Sequence, residues 1–86
     1  MNTSWREAIT KAMLIHHENW DDLVCITLSD EELDCQFDDS FGDTNGQPFT
    51  AWTVNRVYFP ACYDGSERVA SVAAHPNGLP TIHVGH

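Results

Sequence analysis

The residues best equipped for chemistry are carboxylates, and they are crowded together. Asp21, Asp22, Asp30, Glu31, Glu32, Asp34, Asp38, Asp39 and Asp43 put nine acids into one stretch that holds no Lys or Arg. The remaining acids, Glu7, Glu18, Asp64 and Glu67, balance Arg6, Lys11, Arg56 and Arg68, so the net charge of −9 belongs to this stretch. Like charges closer than a Debye length, about 8–10 Å, repel and oppose the compact state. A surface that serves solubility alone usually mixes both signs. Segregation implies a negative face complementary to a positive partner. The same face repels nucleic acid directly, yet it suits a site where Lys and Arg normally hold phosphate.

Other chemistry fits the spacing poorly. Setting Gly46 as the invariant glycine of a calcium loop puts Phe41 at its first position and Trp52 at its last, where oxygen ligands are required. Zinc has no C-x-x-C pair to bind: Cys25, Cys35 and Cys62 are scattered, and His16 and His17 are adjacent and point apart. No nucleophile elbow, phosphate loop or dinucleotide fingerprint is present. These absences predict a protein without metal or cofactor that is not an enzyme. The odd cysteine count argues against a disulfide framework, and Cys25 and Cys62 read as small buried hydrophobes.

The elements that must position the acids form an α+β pattern. Ser4-Trp5-Arg6-Glu7 is a capping box. Behind it Trp5, Ala8, Ile9, Ala12, Met13, Ile15 and Trp20 fall on one arc of a helix running to about His17, with His16 inside the stripe and Arg6, Glu7, Thr10, Lys11, His17 and Glu18 facing away. Leu23–Leu28 predicts a buried strand. Ser29-Asp30-Glu31-Glu32 is a second box and opens a short helix to about Phe37, with Asp30, Asp34 and Asp38 along one flank. A polar loop follows from Asp39 to Pro48. The rest is an antiparallel meander: Phe49–Thr53, a turn at Val54-Asn55, a strand from Arg56 with Pro60 marking an edge or bulge, a hairpin turn at Asp64-Gly65, and a strand from Glu67 to Ala73. Residues 75–86 read as an irregular tail. The order is α-β-(short α)-β-β-β in one domain spanning all 86 residues, with the N-terminal helix packed on a small antiparallel sheet of three to four strands.

The meander Phe49-Thr50-Ala51-Trp52-Thr53-Val54-Asn55-Arg56-Val57-Tyr58-Phe59-Pro60-Ala61-Cys62-Tyr63-Asp64-Gly65 resembles small accessory proteins carried by bacteriophages and mobile elements. In size and acidity the chain is also similar to anti-CRISPR proteins, short acidic α+β domains that occupy nucleic-acid sites on host proteins. The resemblance carries no catalytic motif, so it transfers no catalytic residue. It implies an inhibitor that binds a basic nucleic-acid-binding complex, with a CRISPR effector as the leading candidate. The partner-binding residues expected are Asp21, Asp22, Asp30, Glu31, Asp34, Asp38, Asp39 and Asp43, with Trp52 and Tyr58 as aromatic anchors. The alternative is a small structural or regulatory subunit, of virion or toxin–antitoxin type, whose acids only solvate it. No leader-like start and no apolar run near ~18 residues predict a cytoplasmic protein without a membrane span.

Overall fold

In the computed structural model, which describes residues 2–38, 46–63 and 66–81, the chain enters as a short strand, β1 (Asn2–Ser4), and turns at once into helix α1 (Trp5–Ile15). Ser4 caps that helix, its Oγ accepting from the Glu7 amide at 3.3 Å. The Glu7 carboxylate accepts from Thr3 Oγ1. A 3-10 turn (Trp20–Asp22) leads into β2 (Leu23–Ile26), then α2 (Asp30–Asp34), β3 (Gln36–Asp38), β4 (Ala51–Thr53), β5 (Arg56–Tyr63) and β6 (Ser66–Ala73). The fold is α+β, with an antiparallel sheet ordered β2-β4-β5-β6 and a second ribbon of β1 with β3. Among the described residues no helix is long and apolar enough to cross a membrane.

The core is the inner side of α1 against the sheet: Trp5, Ile9, Met13, Leu28, Leu33, Phe49, Ala51 and Tyr58 are buried. Trp5 is its hub. Its ring packs 4.6 Å from Phe37 and 4.9 Å from Phe49, and its Nε1–H donates to the Gln47 carbonyl at 2.9 Å. Gly46 lies flat on the same ring, where any Cβ would overlap it. Strand alternation sorts the rest. Ala51, Thr53 and Tyr58 turn inward, while Trp52, Val57, Phe59, Ala70 and Val72 share the outer face by register.

Several expectations are corrected. The second helix stops at Asp34, because Cys35 is extended (ψ 126) and the chain then pairs with β1, Phe37 opposite Thr3. Phe37 therefore reaches Trp5 from a strand, and Asp38 leaves the flank it was to share with Asp30 and Asp34. β2 is an edge strand rather than a buried one. Its register slips between Leu23 and Cys25, leaving Val24 and Cys25 exposed. Cys25 is thus not a buried hydrophobe, and Cys62 is only half-buried. Pro60 marks no bulge, and the edge it marks is a local one, where β5 runs on past the pairing with β4. The proline pairs with Val69 in unbroken register. The Ala74 amide donates to Asn55, which fixes the phase of the hairpin. Pro60 then turns its ring nitrogen away from β6 and past the end of β4, where no amide is needed. Ile15, assigned to the apolar stripe, is 74% exposed. The turn at Asp64-Gly65 and the loop over 39–45 lie outside the described residues; β5 and β6 pair up to that turn, Tyr63 opposite Ser66. Residues 74–81 carry no regular structure.

Candidate functional site

The acidic stretch divides between two places. Asp21 and Asp22 occupy the 3-10 turn, where Asn19 Oδ1 accepts from the Asp21 amide and Asp22 Oδ2 accepts from the Asn19 amide. Asp30, Glu31 and Asp34 occupy α2, at the far end of β2. Ser29 and Glu32 close a complete capping box there, with bonds of 3.2 and 2.9 Å. The Ser29 amide foremost, then the Gln47 amide, holds the Glu32 carboxyl below the usual glutamate range. Asp38 sits on β3, and Asp39 and Asp43 lie outside the described residues. Asp21, Asp22, Asp30, Glu31, Asp34 and Asp38 are all exposed.

Arg6 reaches into this group. It donates Nε–H to Asp34 at 2.5 Å and reaches Asp30 at 3.4 Å. Its guanidinium also lies 5.7 Å from the centre of the Trp20 ring. The Asp34 hydrogen bond, ahead of the other influences, raises the arginine further above its already high range. Asp34 stands at the C-terminal end of α2, where the helix dipole disfavours an acid. Arg6 compensates that position. The acids left most free to meet a partner are accordingly Glu31, Asp21 and the exposed side of Asp22.

The two aromatic anchors separate. Trp52 points outward beside Cys25 and Val57 and is exposed. Tyr58 is 0% exposed, so it forms no part of a docking surface. It pairs with Ala51 on the covered side of the sheet, and its hydroxyl donates to Glu18 at 2.5 Å.

That bond exposes a polar centre missed in the sequence. Glu18, expected to face solvent, is only 6% exposed. Its carboxylate also accepts from Thr53 Oγ1 at 2.8 and 3.0 Å. The cause is the helix end. His17 is left-handed (φ 58), its amide reaches Leu14 and the Glu18 amide reaches Met13, the bond pattern of a Schellman turn. This turn swings Glu18 inward. Burial first, then Glu18, pushes the Tyr58 phenol well above its usual range, so it remains a proton donor to the carboxylate. His16, in the expected stripe, caps the helix and is exposed, its Nε2 3.1 Å from Ser71 Oγ. Burial foremost, then Arg56, lowers its pKa. A cleft of about 450 Å³ opens alongside, lined by His16, His17, Glu18, Asp22, Arg56 and His75 among others. Among the described residues no three or more of His, Cys, Asp and Glu come together as metal ligands. The only hint in the sequence was the run His16-His17-Glu18 just past the last apolar helix position.

Comparison of the chain with protein-family models, with curated proteins and with solved structures found no match.

Proposed function

We propose that this protein is a phage or mobile-element inhibitor that docks its acidic side on the phosphate-gripping surface of a host nucleic-acid-binding defence complex, in the manner of an anti-CRISPR. The observation that carries the reading is the display of the acids. Six described members of the acidic stretch, spread over the two ends of β2 and over β3, reach solvent, and Arg6 pairs with Asp30 and Asp34 among them. Charge of one sign kept outward steers association with the opposite sign and makes it sensitive to salt. The protein acts by binding, in bacterial cytoplasm, without catalysis and without a cofactor.

The test is displacement of labelled target DNA from purified CRISPR effector complexes, read by gel shift at low and high salt. The expected result is displacement at low salt that fades at high salt, and that weakens when Asp21→Asn, Asp22→Asn and Glu31→Gln are combined. Displacement unchanged by these substitutions, or none from any effector, sinks the reading.

A second reading is favoured by the outer sheet face. Trp52, Val57, Phe59, Ala70 and Val72 form an apolar strip on the side opposite α1. A structural or regulatory subunit of virion or toxin–antitoxin type would use that strip, and its association would resist salt. Trp52→Ala would then abolish binding that the acid substitutions leave intact.

A further inference from the structure

The four-stranded sheet has two edges, and they are finished differently. β2 is four residues long, slips register, and is flanked by the acidic turn and by α2. Shortness, a bulge and nearby charge all discourage an edge from pairing with another chain. β6 has none of these safeguards in its second half. It pairs with β5 over eight residues without a slip, and it contains no Pro and no Lys. With Ala74 bonded to Asn55, the alternation leaves Val69, Ser71 and Ala73 turning their N–H and C=O groups away from β5. None of those six backbone groups has a partner among the described residues.

Helix α1 packs against β6, and its flanks differ too. Arg6 and Thr10 face α2 and Trp20, on the β2 side. At about 100° per residue, Ile15 lies diametrically opposite Arg6, on the β6 side. Ala8 and Ala12 share that flank and are half-buried, while Ile15 is left 74% exposed.

We infer that the β6 edge is a self-association surface, pairing antiparallel about Ser71 with β6 of a second copy. The register is self-complementary. Centring on Ser71 sets Val69 opposite Ala73 of the second copy and Val72 opposite its Ala70. Each chain's three outward N–H groups then meet three outward carbonyls, giving six new backbone hydrogen bonds. The stretch Val69–Ala73 carries no charge. The acids at the ends of β2 lie three strand spacings away, about 14 Å. Two chains of charge −9 therefore meet along a stretch, Val69–Ala73, that carries no carboxylate, with Arg56 bonded to Ser71 at its centre. The α1 flanks of Ala8, Ala12 and Ile15 come side by side over the joined sheet, which covers Ile15. The product is one eight-stranded sheet with an acidic edge at each end.

The test is sedimentation velocity on the full chain from micromolar to submillimolar concentration, with amide exchange followed by NMR. A species of twice 9.7 kDa is expected, growing with concentration, with the Val69, Ser71 and Ala73 amides slowed as it forms. Ile15→Glu is exposed in the monomer and should leave the circular dichroism unchanged. It should weaken the dimer about tenfold or more, because it would bury an unpaired carboxylate. Val24→Glu, on the opposite edge, should leave the dimer intact. A monomer at every concentration overturns the inference. So does a dimer indifferent to Ile15→Glu or one dissolved by Val24→Glu.

Discussion

Glu18 and Asp34 are both carboxylates held by side-chain donors, and the fold uses them in opposite ways. Glu18 is buried at the wall of a cleft and held by two neutral hydroxyls, from Thr53 and Tyr58. Asp34 stays in water and is held by a full positive charge, Arg6. A buried carboxylate must be hydrogen-bonded or its desolvation goes uncompensated, so its partners are structural necessities. An exposed ion pair gains little, because water and salt compete with it. Among the described carboxylates, Glu18 thus fixes the core, whereas Glu31 and Asp21 are exposed to a partner.

The sharpest way to break this contrast is Tyr58→Phe. It removes one of the donors to Glu18 while keeping the ring, and should cost about 2 kcal/mol of stability in urea unfolding. A loss near zero would mean that water replaces the hydroxyl. The next effect has the opposite sign. His17→Gly relieves a left-handed non-glycine backbone and should stabilise by about 0.5–1 kcal/mol, with Glu18 still buried. A loss of stability instead would show that the imidazole supports the cleft. On the exposed side, Arg6→Ala should cost at most about 1 kcal/mol, and less in high salt. The smallest effect is in pH. The folded pKa of His16 is lowered from 6.5, so its contribution is complete above that value and is lost as pH falls through the folded pKa. Melting temperature should therefore drop on acidification below about 6.5, and drop less in His16→Gln. Glu32, also lowered, adds a second loss below its ordinary value of 4.5.

Local chemistry was legible in the sequence. Ser4 and Ser29 start helices where their S-x-x-E boxes stand, because a cap needs only residues within one turn. The meander was legible because Val54-Asn55 punctuates alternating strands. Most of the failures were decided by distant partners. Phe37 looked helical at i+4 from Leu33, and pairing with β1 made it a strand. Leu23–Ile26 is apolar enough for a central strand, and only the sheet order puts it at an edge. Pro60 hinted at an edge, but that the edge is local to one half of β5 depends on where β4 ends. The pairing of Asp34 with Arg6, 28 positions away, was not legible. Glu18 was missed because a left-handed His17 is the rarer way to end a helix.

The three tryptophans stand in three settings: Trp5 in the core at 1% exposure, Trp20 half-buried beneath Arg6, and Trp52 on the bare side of the sheet. They make the molecule its own optical gauge. With Trp20 and Trp52 replaced by Phe, the emission colour of Trp5 follows unfolding. With Trp5 and Trp20 replaced, Trp52 shifts to the blue only when something settles on the outer strip, and it stays dark to docking along the acidic side. A titration watched at one wavelength then distinguishes which side of the protein a partner has chosen.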